Sequence, residues 1–281
     1  MEKEEDHWNN FTKYNKTENC PVIHLERLKY LKKILGDDIQ NKLDVLSIGA
    51  ADAKFDEMML RETKMKLASY HAIEPAEEFQ VELKNRIAQW NVPYTIEQTS
   101  FSEHYKPQQG EVKYDLIVMS SVLYYMENIG LAIQNARSLL KPTGKLIIFH
   151  QTDNCGWELY KCHLKAFPEI VNTTFAYDMS HKDVLREADK LKIPYKCHVV
   201  EDIEKTQMDF DEFVRCIMGN TKVPKHHFVD FMVQRSVEEL PEWLRKQMYE
   251  IVLKHAVLND ENRYVVSVAF AVFHIDGIKA N

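Results

Sequence analysis

No apolar run in this sequence approaches the roughly 20 residues that a membrane-spanning helix needs. The first residues, from Met1 to Trp8, are acidic and lack the apolar core of a secretory signal peptide. The five cysteines are odd in number and form no Cys-x-x-Cys pair, which argues against a disulfide framework and a zinc knuckle. These absences predict a cytoplasmic protein with reduced thiols and no membrane partner.

An excess of basic charge is also lacking. The chain has 36 lysines and arginines against 43 aspartates and glutamates, and its formal net charge of −7 argues against nucleic-acid binding. The 12 histidines show none of the spacings of a metal site. A Gly-x-Ser-x-Gly elbow and a phosphate loop are missing as well. We therefore predict a monomer that binds no metal and no nucleic acid.

The first half of the chain alternates short apolar runs with helical patterns. Predicted strands cover residues 43–48, 68–73, 94–98, 114–119 and 145–150, and predicted helices cover residues 54–66, 76–90 and 129–140. A turn is expected at residues 141–144, where proline and glycine favour a tight bend. This alternation predicts an α/β fold with a mostly parallel, doubly wound sheet.

The second half of the chain has a different pattern. Predicted helices cover residues 157–167, 182–191, 208–218 and 237–255, and a strand is expected at residues 195–200. The strand at residues 195–200 and the apolar run at residues 263–275 are two late strands, and we expect them to close the sheet as an antiparallel edge pair. Because most connections are shorter than about six residues, the helices within about 205–258 predict a small added lobe.

Glycine is rare, with eight residues in the chain, and one of them ends the first predicted strand. The stretch Val45-Leu-Ser-Ile-Gly49-Ala-Ala-Asp52 is a strand followed by a turn of small residues, which lets a ligand approach the backbone closely. Glu74 closes the second strand, where a carboxylate can accept both hydroxyls of a nucleoside ribose. The alternatives are a tight turn without a ligand and an ordinary surface carboxylate.

Three aromatic stretches are further candidates. Ser120-Ser-Val-Leu-Tyr-Tyr125 follows the fourth strand and faces the crevice above the sheet, although at most one of its tyrosines is expected to face a ligand. Trp157 can wall a pocket or attract an ammonium group, or it can pack in the core. The stretch from Trp8 to Glu18 is either a lid helix or a packing helix.

At these residues the chain resembles the class I S-adenosylmethionine-dependent methyltransferases, and within them the histamine N-methyltransferases. The resemblance runs from about residue 8 to 273. It is carried by Val45-Leu-Ser-Ile-Gly49, Ile73-Glu-Pro-Ala-Glu77, Thr99-Ser100, Ser102-Glu103, Leu123-Tyr-Tyr125, Gly156-Trp157, Phe167-Pro168 and Thr17-Glu18. It implies a Rossmann-like, seven-stranded sheet with the antiparallel edge pair.

The resemblance also implies roles for individual residues. The cofactor S-adenosyl-L-methionine would be bound by Gly49, Ala51, Glu74, Phe79, Ser100 and Ser120. The amine substrate would be bound by Glu18, Trp8, Ser121, Tyr124, Tyr125 and Trp157, with Glu18 holding a polar end of the amine. No side chain is assigned as a catalytic base, because positioning and water suffice for methyl transfer to an amine.

Several positions depart from the family pattern. Ala51 and Ala53 stand where the family has glycines, and Phe79 stands in place of a glutamine that contacts the cofactor. Ser121 replaces a glutamine that contacts histamine, and Val266 replaces an asparagine of the same polar set. These departures leave the methyltransferase assignment in place but weaken the assignment of histamine as the substrate.

The sequence thus predicts one methyltransferase domain over residues 1–281. Residues 1–40 form a lid segment, residues 41–155 the cofactor-binding half, and residues 156–281 the substrate-side half. The expected activity is N-methylation of a small amine, with histamine as the first candidate. The alternatives are another small amine or imidazole, and a catalytically silent protein that binds the cofactor or a protein partner. A nicotinamide-dependent dehydrogenase is disfavoured by the thin glycine content of the turn.

Overall fold

A computed structural model describes residues 19–36, 41–102, 104–106, 113–167, 179–200, 207–219, 221–222, 229, 237–267 and 269–278. The predictions made for Trp8 and Glu18 lie outside these residues. Contacts divide the chain into two compact units. The large-sheet unit comprises residues 24–150, 181–199 and 271–281, and the small-sheet unit comprises residues 1–23, 151–180 and 200–270. The domain limits expected from the sequence stay a prediction.

Ten strands are assigned within the described residues. In chain order they are β1 (Lys42–Ile48), β2 (Lys66–Ile73), β3 (Tyr94–Glu97), β4 (Tyr114–Ser120), β5 (Leu140–Gln151), β6 (Lys196–Val200), β7 (Gln207–Asp209), β8 (Ala256–Leu258), β9 (Tyr264–Ser267) and β10 (Phe270–Asp276). The α-helices in chain order are α1 (Asn19–Leu35), α2 (Lys54–Thr63), α3 (Glu77–Ala88), α4 (Ile129–Ser138), α5 (Cys155–Ala166), α6 (His181–Lys190), α7 (Asp211–Met218) and α8 (Glu242–His255).

The large sheet has seven strands in the order β3-β2-β1-β4-β5-β10-β6. The pairs β1–β2, β1–β4, β2–β3 and β4–β5 are parallel, and the late strands make an antiparallel edge. The central strands are apolar and buried, as expected for a parallel sheet with both faces covered; Val45, Leu46 and Ile117 have no exposed surface. The predicted doubly wound, Rossmann-like fold is confirmed.

Two predicted boundaries in the large-sheet unit need correction. The helix expected to reach residue 66 ends at Thr63, because Lys64 adopts a left-handed conformation with φ 59° and β2 begins at Lys66. The turn expected at residues 141–144 lies inside the bounds of β5, where the pairing with β4 shifts register. Gly144 is required in this irregular stretch, because a Cβ atom there would lie 2.5 Å from the Tyr114 carbonyl oxygen.

The small-sheet unit contains a three-stranded sheet in the order β7-β9-β8, with both strand pairs antiparallel. Helices α5 and α8 are joined by Lys254, whose Nζ donates to both carboxylate oxygens of Glu158 at 2.7 and 2.9 Å. The ring of Phe213 in α7 packs edge-on against Tyr249 in α8, with 5.7 Å between ring centroids. Helices α7 and α8 fall within the span that the sequence predicted as an added lobe.

The predictions for this part of the chain were less accurate. The helix expected at residues 208–218 begins only at Asp211, because Met208 belongs to β7 and pairs with Val266 of β9. The helix expected at residues 237–255 is interrupted at Pro241, which has no N–H to continue a helix. The late apolar run forms two strands: β10 joins β6 at the antiparallel edge of the large sheet, as predicted, whereas β9 belongs to the small sheet. No helix of the described residues is long and apolar enough to cross a membrane.

One buried carboxyl group gives the fold a pH-dependent stability. Burial raises the pKa of Asp56 in α2 from 3.8 to about 6, against the lowering effect of hydrogen bonding with Ser47 and Tyr70. Between these two values the folded chain holds a proton that the unfolded chain has lost. The free energy of unfolding therefore falls as the pH rises through this window, and a stability cost remains at neutral pH.

We expect Asp56→Asn to gain stability over the wild type, and this gain should grow by about 1–2 kcal/mol between pH 5 and pH 8. Urea unfolding at the two pH values measures it. Asp44→Asn is the opposite control. Burial raises the pKa of Asp44, but hydrogen bonds from Lys141 and Ser69 outweigh burial and lower it, so the substitution should destabilise the fold. A gain for Asp56→Asn that does not change with pH would contradict the prediction.

Candidate functional site

Three of the predicted site residues lie side by side at the carboxyl edge of the large sheet. Ile48 of β1 pairs with Ile73 of β2 and with Met119 of β4. The next residues along these strands are Gly49, Glu74 and Ser120. In open α/β sheets, ligands bind outside the carboxyl ends of the strands at the point where the strand order reverses, which here lies between β1 and β4.

Gly49 allows the chain to turn tightly against its neighbours. Its φ is +71°, and its N–H donates to the Ile73 carbonyl oxygen at 2.8 Å. A Cβ atom at this position would lie 2.4 Å from Cγ2 of Val122. The single glycine of the turn is therefore required by both its conformation and its surroundings.

Two alanines continue the turn in a conformation that suits glycine. Ala51 has a φ of 47° and Ala53 has a φ of 56°, and left-handed backbone costs roughly 1–2 kcal/mol for a residue that carries a Cβ atom. The N–H of Ala53 donates to the Ala50 carbonyl oxygen at 2.8 Å, and its own carbonyl oxygen accepts from Glu57 in the first turn of α2. The turn therefore keeps the shape of a glycine-rich turn without the glycines.

Glu74 is buried and is held by the backbone on both sides. Its Oε2 accepts from the Ala51 N–H at 2.8 Å and its Oε1 accepts from the Ala76 N–H at 2.9 Å. Burial raises the pKa of the carboxyl, and the two backbone bonds counteract part of this rise. Each carboxylate oxygen has a second lone pair, so the group can still accept from two hydroxyls of a ligand.

The two remaining residues of the predicted cofactor set lie in different surroundings. Phe79 in α3 is buried, with 8% of its surface exposed, whereas Ser100 is exposed after the end of β3. The sequence analysis missed Gln80, whose Nε2 donates to the Glu74 and Ala76 carbonyl oxygens at 2.7 and 3.2 Å. Gln80 therefore steadies the backbone on either side of Pro75.

Arg27 in α1 is a second residue that the sequence analysis missed. Its Nη1 donates to Oγ of Ser120 at 3.4 Å, and its guanidinium lies 5.9 Å from the ring centroid of Phe149 at the end of β5. Nine per cent of Arg27 is exposed. In the sequence it stands beside Glu26 on an ordinary charged helix, so no pattern marks it as a residue of the sheet edge.

The tyrosine segment after β4 is turned by Ser121, whose φ is +55° and whose N–H donates to the Phe149 carbonyl oxygen at 2.9 Å. Tyr124 is buried, and its ring lies 4.9 Å from that of His150 at an interplanar angle of 32°. Burial raises the pKa of Tyr124, and a hydrogen bond with Ser121 lowers it in part. Tyr125 meets Tyr124 edge-on at 5.6 Å and is the more exposed of the two.

Two other candidates belong to the small-sheet unit. Trp157 lies in the first turn of α5, where its backbone N–H donates to Oδ1 of Asn154 at 3.2 Å. Lys161 places its Nζ 4.3 Å from the Trp157 ring centroid, so a cation from the chain itself already occupies one face of the indole. Val266 has 1% of its surface exposed in the middle of β9, where its side chain packs in the core.

The described residues contain no group of three or more histidine, cysteine, aspartate or glutamate side chains that could hold a metal ion. Residues 46–146 match the family described as methyltransferase domain. This match runs from the last residues of β1 to the first part of β5, and it includes the carboxyl edge with Gly49, Glu74 and Ser120. The predicted resemblance to class I methyltransferases is thereby confirmed.

Among curated proteins, the chain is 30% identical to histamine N-methyltransferase of Xenopus tropicalis, over 48% of this chain and 50% of that protein. It spans about half the length of the first curated relatives that it matches.

Among solved structures, a putative methyltransferase (BH2331) of Bacillus halodurans has a TM-score of 0.54 at 11% identity, covering 90% of this chain and 99% of that one. The plantazolicin methyltransferase BpumL in complex with SAH (S-adenosylhomocysteine) has a TM-score of 0.53 at 12% identity, covering 96% and 89%. At these identities the two structures support the fold alone.

Replacing the strained alanine nearest Glu74 should stabilise the chain. Ala51→Gly keeps the N–H that donates to Glu74 and removes the Cβ atom from a left-handed residue, so we expect a gain of about 0.5–1 kcal/mol. Thermal unfolding measures it. Ala50→Gly is the matched control. Because Ala50 is not among the positive-φ residues, this substitution relieves no strain and should destabilise the chain by about 0.5–1 kcal/mol. Equal effects of the two substitutions would contradict the strain at Ala51.

Proposed function

We propose that the chain is an S-adenosylmethionine-dependent methyltransferase that binds its cofactor across the carboxyl ends of β2, β1 and β4. One observation carries the proposal: the buried Glu74 carboxylate accepts the Ala51 N–H at 2.8 Å beside the Gly49 turn. A carboxylate and a close-approach turn held together at this edge suit a nucleoside ligand with a small polar tail. The methyltransferase-domain match over the same residues, and SAH in a structure of the same fold, support this assignment.

Each part of the cofactor has its own proposed residues. Gly49 and Ala51 would hold its methionine part, the Glu74 carboxylate would accept hydrogen bonds from its ribose hydroxyls, and Ser100 would contact its adenine. Ser120 lines the cleft on the β4 side. Phe79 completes the proposed set, and with 8% of its surface exposed its ring packs mainly in the core.

When bound, S-adenosylmethionine supplies a methyl group that is already activated on a sulfonium sulfur. The chain therefore has to bind the two substrates, align them and exclude water. Such positioning can lower the activation barrier by roughly 7–11 kcal/mol. Glu74 and the Gly49 turn hold the donor, and the tyrosine segment after β4 walls the space beside it. A proton leaves the acceptor nitrogen to water or to a polar group of the pocket.

The acceptor is a small amine, with histamine as the first candidate, since several curated relatives that match about half of the chain are named histamine N-methyltransferase. The sequence-based expectation that Glu18 binds a cationic or imidazole end of the amine is part of this proposal, and Trp8, Ser121, Tyr124, Tyr125 and Trp157 stay its other expected substrate-binding residues. Tyr125 is the more accessible of the two adjacent tyrosines. The proposal includes the cytoplasmic location and the monomeric state expected from the sequence.

A different small amine or imidazole is favoured by Ser121, which replaces a polar contact for histamine. The Ser121 side chain is hydrogen-bonded with Tyr124 rather than extended as a long amide would be.

A second candidate function is a silent cofactor-binding protein. It is favoured by the left-handed alanines of the turn, whose Cβ atoms replace the open surface of glycines.

Loss of the Glu74 charge should weaken cofactor binding. We expect Glu74→Gln to raise the Kd for S-adenosylhomocysteine about 10- to 100-fold, because hydrogen bonds to a charged group contribute about 1.5–3 kcal/mol each. Isothermal titration calorimetry measures it. Glu78→Gln, at an exposed position on α3, is the matched control and should bind like the wild type. An unchanged Kd for Glu74→Gln would remove the ribose-binding role.

Loss of the Glu18 charge should affect the amine and not the cofactor. In assays of a panel of small amines with labelled S-adenosylmethionine, we expect Glu18→Gln to raise KM about tenfold for amines that carry a second basic group. An acceptor without this group serves as the control and should be unaffected. Equal weakening of cofactor binding would overturn the anchor role, and cofactor binding without turnover of any amine would favour the silent protein.

A further inference from the structure

A buried polar network lies beneath the end of β3 in the large-sheet unit. Oε2 of Glu97 accepts from the Tyr105 hydroxyl at 3.1 Å, and Oε1 of Glu97 lies 3.1 Å from Nε2 of His71. Nδ1 of His71 lies 2.5 Å from the Tyr114 hydroxyl. The four residues have between 1% and 8% of their surface exposed, so this is an interior network with no open face.

Burial shifts the pKa values of two groups in this network, His71 and Tyr105. Burial lowers the pKa of His71 more than the Glu97 carboxylate raises it, so the imidazole is neutral at pH 7. Burial and the same carboxylate raise the pKa of Tyr105 well above its ordinary range. Tyr105 is therefore a permanent hydroxyl donor to Glu97. An interior carboxylate held in this way is costly to leave without its donors.

Glu97 connects the network to the candidate site through its backbone. Its carbonyl oxygen accepts from the Glu74 N–H at 3.1 Å, directly beside the carboxylate proposed to bind the ribose. Its side chain accepts the hydrogen bond from Tyr105 and thereby holds the segment that follows β3. The same residue thus connects the end of β2 with the stretch that contains Ser100.

A second anchor holds the stretch after β3 from α4. Nδ2 of Asn135 donates to the Ser102 carbonyl oxygen at 2.8 Å and to the Tyr105 carbonyl oxygen at 3.0 Å. The rings of Phe101 and Tyr105 pack at 5.1 Å between centroids. The described residues around Ser100 are therefore tied to the sheet by Tyr105 and to a helix by Asn135, although Ser100 itself is exposed.

The order of the strands indicates which part of a ligand the stretch around Ser100 can contact. The large sheet runs β4-β1-β2-β3 toward this edge. A ligand with its tail held at the β1 turn and its ribose held by Glu74 would have its base on the β3 side of Glu74. The residues there that would hold the base belong to the stretch that Tyr105 and Asn135 position.

We propose that Glu97, acting through Tyr105, is a positioning residue that sets the stretch around Ser100 against the base of the cofactor and keeps it in register with Glu74. This inference rests on the proposed function, since it assigns the base-binding part of the same site. Neither Glu97 nor Tyr105 touches the ligand, and the effect of each passes through Ser100.

A double-mutant cycle on cofactor affinity tests the inference. Calorimetry with S-adenosylhomocysteine is applied to the wild type, Tyr105→Phe, Ser100→Ala and the double variant. We expect Tyr105→Phe to raise the Kd about tenfold in the wild-type background and less than about twofold when Ser100 is already alanine. A merely structural role of Tyr105 predicts the same factor in both backgrounds, which would overturn the inference.

Controls separate this inference from the proposed function. Tyr195→Phe removes a hydroxyl that donates to Asp189 at an exposed position, and its Kd should equal that of the wild type. If Tyr105→Phe fails to fold, Asn135→Ala replaces it in the cycle with the same expected coupling. No binding by the wild type would sink the proposed function, whereas wild-type binding with an unchanged Kd for Tyr105→Phe and Asn135→Ala would sink only the positioning role.

Discussion

The hydrogen bond from the Ala51 N–H to Oε2 of Glu74 is the contact on which the candidate site depends. It joins the turn after β1 to the end of β2, and the other carboxylate oxygen extends the connection to the Ala76 N–H at the start of α3. A buried carboxylate without these donors would carry its full desolvation cost, which is larger than the gain from an ordinary hydrogen bond. The turn and the carboxylate therefore hold each other in place before any ligand binds.

The same hydrogen bond explains how the chain keeps this turn with so little glycine. Left-handed backbone at Ala51 and Ala53 costs roughly 1–2 kcal/mol each. A hydrogen bond to a charged group contributes about 1.5–3 kcal/mol, so the bond to Glu74 offsets much of the strain at Ala51. Strain of this kind persists where the surroundings over-determine the backbone, and such places are often functional. The turn therefore keeps its shape although alanines replace the glycines at positions 51 and 53.

The sequence predicted the large sheet well because its central strands are continuous apolar runs that only a doubly covered sheet can bury. It failed where one residue overrides a pattern: Lys64 ended a helix early, and Pro241 interrupted another. Three-residue strands such as β7 are too short to show a period. The division of the late apolar run between two sheets depends on pairing partners distant in the sequence, and no local signal contains it.

The sequence predicted those residues of the candidate site that lie at the ends of strands. Gly49, Glu74 and Ser120 directly follow apolar runs, so their common edge follows from the parallel sheet. Gln80, Arg27 and the partners of Glu97 were missed, because each contributes through a neighbour brought close only by the fold. Their sequence surroundings are ordinary helix and strand patterns. Residues that position others therefore have weaker local signals than residues that stand at the edge themselves.

Charge is distributed unevenly along the carboxyl edge. Glu74 brings a carboxylate to the end of β2, whereas Arg27 contacts Ser120 at the end of β4. Burial, with Arg27 and Lys54 nearby, lowers the pKa of His24 to about 3, so this imidazole adds no charge to the basic end. A ligand with separated charges consequently meets a negative electrostatic field at the end of β2 and a positive one near the end of β4. Together with the strand order, this asymmetry favours one direction of binding along the edge.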